Sequence, residues 1–137
     1  MEDFSLEDFV HGLPAIVLRV ANDEHYTLRF ANAEAARMLG YDTAQFFDNR
    51  EYTAASVVHP LDLDMLEKLD ELQARTGRTV IARYRLIDSN GAEVPVLDIS
   101  RPSFDASGKC TGFSSVIIDL REAPGLQGPS GQVGGPS

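Results

Sequence analysis

"RTVIARYRLIDSNGAEVPVLDISRPSFDASGKCTGFSSVIIDL", Arg78 to Leu120, holds three runs rich in β-branched and aromatic residues, parted by two turn signals. The runs are Arg78–Ser89, Glu93–Phe104 and Gly112–Leu120. Asn90-Gly91 between the first two is the strongest short hairpin signal, because both positions accept positive φ. "DASGKC" reads as the second loop, which makes Cys110 an ordinary exposed thiol. Alternate residues of a strand share a face. Val80, Ala82, Tyr84 and Leu86 therefore oppose Ile81, Arg83, Arg85 and Ile87, and the arginines mark the solvent side. In the next run Val94, Val96, Asp98 and Ser100 oppose Pro95, Leu97 and Ile99. Two readings stay open there. Either Asp98 points inward with the valines and needs a partner, since a buried lone carboxylate is costly, or a bulge shifts the register and leaves it exposed.

Working back from these strands, "PLDLDMLEKLDELQARTG" (Pro60–Gly77) predicts the one long helix. Proline suits its first turn, Asp62 and Asp64 suit its positive end, and Gly77 stops it. Leu66 and Leu69, with Met65 and Leu72, are its inward candidates. "TAASVVHP" and "DTAQFFD" predict short helical turns, and "NAEAARMLGY" a helix capped by Asn32 and ended by Gly40. Phe46, Phe47 and Tyr52 are either core or rim of a cavity. Two strands precede these turns, "PAIVLRVAND" and "HYTLRFAN", the second with Tyr26, Leu28 and Phe30 on one face. Residues 1–12 predict a short helix begun by Ser5, with Phe4, Phe9 and Val10 as its apolar stripe. Residues 123–137, APGLQGPSGQVGGPS, read as a flexible tail or linker. The fold class is α+β: residues 13–122 form a five-stranded antiparallel sheet with several short helices and one longer helix on one face.

Composition narrows the function. The 137 residues suit one domain and carry a net charge of −9, which disfavours nucleic acid and anionic membrane surfaces as partners. No apolar run approaches the ~18 residues of a membrane span, and the acidic start is unlike a signal peptide, so a cytoplasmic setting is expected. One cysteine excludes an internal disulfide. No phosphate loop and no nucleophile elbow is present, and no nucleophile, base and oxyanion donor form a recognisable set, so an enzyme is not expected.

Five fragments in order resemble the PAS domain family, over about residues 10–122. "FANAEAARMLGY" is similar to the family's N-x-A-x-x-x-x-G-Y/F stretch and "VVHPLD" to its His-Pro-x-Asp stretch. "YRLIDSNG", "DASGKCTGF" and "DLRE" resemble its two hairpins and its terminal Asp-Ile-Thr-Glu. The resemblance implies a bacterial sensory module of two-component or cyclic-nucleotide signalling. It also implies a homodimer whose internal pocket holds a small-molecule ligand and whose last strand leads to an output signalling domain. Asp119 matches the family's exit aspartate. Arg121 replaces the threonine, and Pro124 interrupts the usual continuing helix.

The pocket candidates on this reading are Phe30, Val57, His59, Met65, Leu69, Ala82, Tyr84, Val96, Asp98 and Ser115. Ser114 adds a second small polar wall position. The cofactor is unknown, with none favoured. Haem is one alternative, ligated axially by His59, and a ligand-free interaction module is another. The competing reading of His59 is a junction residue whose ring bonds nearby backbone. Flavin is disfavoured because "FFDNREYTAAS", where relatives carry the adduct cysteine, has none. The N-terminal helix is expected to cover the outer sheet face, alone or in a dimer, because Ile81, Ile87, Leu97 and Ile99 would otherwise form an apolar patch.

Overall fold

The computed structural model describes residues 5–47 and 53–127. Five strands, β1 Ile16–Ala21, β2 Leu28–Ala31, β3 Val80–Ile87, β4 Glu93–Phe104 and β5 Cys110–Asp119, form one sheet. All pairs are antiparallel and the order is β2-β1-β5-β4-β3, so the last strand is central. Gly112 permits this: a Cβ there would stand 2.3 Å from the Val20 carbonyl oxygen on β1. Helices α2 (Ala33–Leu39) and α3 (Leu63–Thr76), with 3-10 turns at Thr43–Phe46, Ala54–Val57 and Pro60–Asp62, pack on one face. No described helix is long and apolar enough to cross a membrane.

Both strand-connecting turns of the final three strands use the same device. Asp88 Oδ1 accepts from the amides of Asn90 (2.9 Å) and Ala92 (2.8 Å), and Gly91 supplies φ +82°. Asp105 Oδ1 accepts from Ser107 (2.9 Å) and Lys109 (3.1 Å), and Gly108 supplies φ +88°. An aspartate that bonds its own turn, followed three residues later by glycine, thus fixes each hairpin. Cys110 follows the second turn as the first residue of β5 and is buried, which corrects the expectation of an exposed loop thiol.

Asn32 ties the front of the chain together. Its Nδ2 donates to Val10 O and Ala15 O, both at 2.9 Å, and its Oδ1 accepts from Val17 N at 2.9 Å. It is 1% exposed. The side chain is therefore not free to cap α2, as the sequence suggested. His11 caps instead, its Nδ1 accepting from Ala33 N at 2.9 Å. Gly40 and Gly77 end α2 and α3 in the left-handed conformation, as expected.

Two expectations for the outer face change. The β1–β2 register shifts between Arg19 and Val20, so Arg19 faces Phe30 while Val20 faces Leu28. The extra residue, Arg29, turns Phe30 to the outer face, away from the cavity. Phe30 there meets the His11 ring at 5.9 Å. The N-terminal helix α1 (Leu6–His11) leaves Ile81 at 64% and Phe9 at 52% exposure, so this chain's α1 does not cover the outer face. Val10 is half-buried beside Asn32, and Phe4 and Tyr52 lie outside the described residues. After β5 come a 3-10 turn at Leu120–Glu122 and, within the stretch the sequence suggested as a flexible tail or linker (123–137), a helical turn α4 at Pro124–Gln127.

Replacing Asn32 by Ala strands one half-buried amide and two half-buried carbonyls, each loss costing ~1–3 kcal/mol at most. Asn32→Ala is expected to lower stability by about 2–4 kcal/mol, read as a lower urea midpoint at unchanged m.

Candidate functional site

The inner faces of the sheet and the helices leave a cavity of about 150 Å³. Ile16, Leu18 and Val20 on β1 and Leu28 and Ala31 on β2 form one wall. Val80, Ala82, Tyr84 and Leu86 form another, as the alternation of β3 predicts. α3 presents Leu63, Leu66, Glu67, Asp70 and Gln73, a stripe at helical spacing, with Leu69 at its edge. Phe46 and Val57 on the short turns close the cavity from the helix side.

The alternation of β4 resolves in favour of Asp98 inward. β3 and β4 stay in register from Val80↔Ser100 to Ile87↔Glu93, so Asp98 and Ser100 line the cavity on the face of Val94 and Val96. Tyr84 donates its hydroxyl proton to Asp98 Oδ2 at 2.6 Å. Asp98 Oδ1 is shut off from solvent and has no hydrogen-bond partner among the described residues. Burial pushes the Asp98 carboxyl above its ordinary range, and the hydroxyls of Tyr84 and Ser115 offset this only in part. Burial and the Asp98 charge together raise the Tyr84 phenol.

A second carboxyl joins it from α3. Burial pushes Asp70 up to about 6, Tyr26 hydrogen-bonds to it and opposes the rise, and the Asp98 charge adds to it. Tyr26, at φ +52° in the β1–β2 turn, packs its ring against Phe113 at 6.3 Å; burial and Asp70 raise its phenol. Gln73, 1% exposed, donates to Ser100 O at 2.7 Å and so fastens α3 to β4. Asp70, Gln73 and Tyr26 were not singled out from sequence for the cavity. The signal for the first two was their place on the leucine stripe of α3, at i+4 and i+7 from Leu66.

Of the sequence-selected pocket residues, Val57, Leu69, Ala82, Tyr84, Asp98 and Ser115 line the cavity. Phe30, His59, Met65 and Val96 do not. Val96 is fully buried within the apolar core beside the cavity. Met65 is 39% exposed because it lies off the α3 stripe, about 140° around the helix from Asp70. Ser114 is on the outer face, where Arg19 Nη1 donates to it at 3.3 Å.

The ring of His59 faces the backbone. Its Nδ1 accepts from Leu61 N at 3.1 Å, capping the Pro60–Asp62 turn, and its Nε2 stands 3.4 Å from Glu93 Oε2. Its amide donates to Arg85 O at 2.9 Å. Both ring nitrogens are engaged outside the cavity, and ~300 Å³ is the low end for drug-sized ligands. His59 and the cavity therefore do not fit haem. Three residues on, Asp62 accepts from Arg85 N at 2.9 Å and from its guanidinium at 2.9 and 3.0 Å, pinning the start of α3 to β3.

At the exit of β5, Asp119 is buried and accepts from Arg121 N at 2.9 Å and from its guanidinium at 2.9 to 3.3 Å. Burial works against its charge, but the Arg121 bonds outweigh this and hold the carboxyl below its ordinary range.

The raised Asp70 has a definite consequence for stability. The folded state keeps the Asp70 proton to a higher pH than the unfolded chain, so stability falls as pH rises from 3.8 to about 6, then levels. Asp70→Asn removes this slope. The stability of Asp70→Asn relative to the unsubstituted protein is expected to rise across that window and stay flat above it, measured by urea unfolding at each pH. An NMR titration of the Asp70 carboxyl should give a midpoint near 6.

Comparison with known proteins agrees with this geometry. The PAS fold family model matches residues 28–117. No curated protein sequence matches the chain. Among solved structures, the PAS domain of a Colwellia psychrerythraea protein superposes with TM-score 0.70 at 10% identity, over 82% of this chain and 91% of that one. The N-terminal domain of a diguanylate cyclase with PAS/PAC sensor from Marinobacter aquaeolei gives 0.64 at 19% identity, over 77% and 94%. The LOV domain of a blue-light activated histidine kinase from Erythrobacter litoralis gives 0.61 at 17%, over 78% and 96%. With the matched segment spanning β2 to β5, this chain belongs to the PAS fold family.

Proposed function

We propose that this chain is a non-catalytic sensory module that binds a small organic ligand in its inner cavity and relays occupancy to an attached output domain. The observation that carries the reading is the cavity itself. Space left unfilled beside the core forgoes the packing contacts that larger side chains would make there. A larger side chain at Ala82 would recover part of them, so the space is better explained by an occupant than by packing. An engineered cavity of about this volume takes benzene, which sets the size of that occupant.

The relay follows the chain. Ser115 and Ile117 on β5 line the cavity, and the strand ends at Asp119. There the Asp119–Arg121 pair fixes the direction in which the chain leaves. A ligand that moves the central strand thus acts on the exit through a few residues. Phe30, Ile99 and Val116, 37–39% exposed on the outer face, offer a second copy an apolar surface. The sensor domains of a diguanylate cyclase and a histidine kinase among the similar structures support the class of output.

A two-dimensional NMR screen with organic molecules of up to about benzene size tests this. Binding is expected to shift the resonances of Ala82, Tyr84 and Ser115, with smaller shifts at Asp119. Ala82→Leu should weaken binding at least tenfold while keeping the fold. If no compound shifts these resonances, and Ala82→Leu only stabilises, the cavity is a packing void and the reading fails.

A further inference from the structure

Resting on the small-ligand reading, the cavity's polar end specifies the ligand further. We infer that the cavity takes a small organic monocation, whose ammonium group sits between Asp98 and Asp70 and whose apolar body lies against Leu18, Leu66 and Ala82.

The argument begins with charge. Three carboxyls line the cavity, Asp98 on β4 and Asp70 and Glu67 on α3; Glu67 is exposed, and the charges of Asp98 and Glu67 both act on Asp70. Among the described residues no Lys, Arg or His lines that cavity. The neighbours of Asp98 and Asp70 supply hydroxyls only: Tyr84 and Ser115 stand beside Asp98, and Tyr26 beside Asp70. The Tyr84 hydroxyl occupies Asp98 Oδ2, and the Tyr26 hydroxyl serves Asp70. Asp98 Oδ1 remains buried and unpartnered. A buried carboxylate oxygen without a donor is unfavourable, and two like charges in one cavity are more so. A neutral apolar guest leaves both conditions as they are. An ammonium supplies up to three donors and one positive charge, which meets the free oxygen and offsets the repulsion.

The rest of the cavity sets the body of the ligand. Its remaining walls are mainly aliphatic and aromatic, and its volume of about 150 Å³ fits a group near the size of benzene or a short alkyl chain. A site built around an unmatched acceptor also discriminates. An isostere without the positive charge leaves Asp98 Oδ1 short of its partner, whereas a missing methylene costs little.

Benzylamine, benzyl alcohol and toluene are the probes, titrated into the intact chain and followed by NMR at pH 7.5. The inference expects benzylamine to bind at least tenfold tighter than benzyl alcohol, shifting Ala82, Tyr84 and Ser115. Asp98→Asn should sharply reduce that preference, because only the Asp70 carboxylate is left to pair the ammonium. Benzylamine affinity should also fall from pH 7.5 to pH 5 as Asp70 takes up its proton near pH 6. The other titratable groups facing Asp98 and Asp70, namely Tyr84, Tyr26 and Glu67, are two phenols held protonated and one exposed carboxylate. Equal binding of the amine and the alcohol at these resonances overturns the cation and leaves the small-ligand reading standing. A preference that survives unchanged in Asp98→Asn also overturns it. Failure of all three probes to shift the cavity resonances overturns the cation and counts against the small-ligand reading as well.

Discussion

The register of β4 is the constraint on which the site depends. Val94 and Val96 have no exposed surface, and β4 pairs with β3 without a shift from Glu93 to Ser100. A slip of one residue would turn both valines to solvent. Full burial of such a side chain is worth ~1.5–3 kcal/mol, so about 3–6 kcal/mol opposes the slip. Against this stands the cost of carrying Asp98 inward on the same pleat. That cost is moderated by the hydroxyl of Tyr84, which donates to Asp98 Oδ2 at 2.6 Å. The valines win, and the carboxylate goes where the two-residue period sends it.

The same period explains why the polar end of the cavity has members from separate parts of the chain. Tyr84 arrives from β3, Asp98 from β4 and Ser115 from β5, because antiparallel neighbours in register share faces. Asp70 and Gln73 arrive on α3, which is held over the sheet at both ends. Asp62 fixes its start to Arg85, and Gln73 fixes its later turns to Ser100. A sequence otherwise consistent with its fold places buried acids where packing alone would have placed leucine. Such departures from local consistency are expected at functional positions.

Much of the fold was legible because its signals are local. The two Asp-x-x-Gly turns, the left-handed glycines 40 and 77, and the alternation of β3 each act within a few residues. The errors came where a distant partner intervened. Asn32 reads as a helix cap, yet its side chain is drawn to Val10, Ala15 and Val17, and His11 takes the cap. Phe30 reads as facing inward with Leu28, yet a single extra residue opposite Arg19 and Val20 reverses it. Cys110 reads as loop, yet pairing with Phe104 makes it strand and buries it. His59 showed its residue type but not its direction, which the Arg85 carbonyl and Glu93 decide.

By itself, then, the sequence determined the order of elements, the antiparallel sheet and the residues that alternate along β3, since propensity, turn chemistry and period act along the chain. Only the tertiary structure decided which face of β4 lies inside, which helical residues meet it, and that one carboxylate oxygen is left without a donor. The physical reason is that each of these depends on what stands opposite. Cross-strand register and helix docking are settled by burial summed over many residues far apart in the chain, and no single stretch carries that sum.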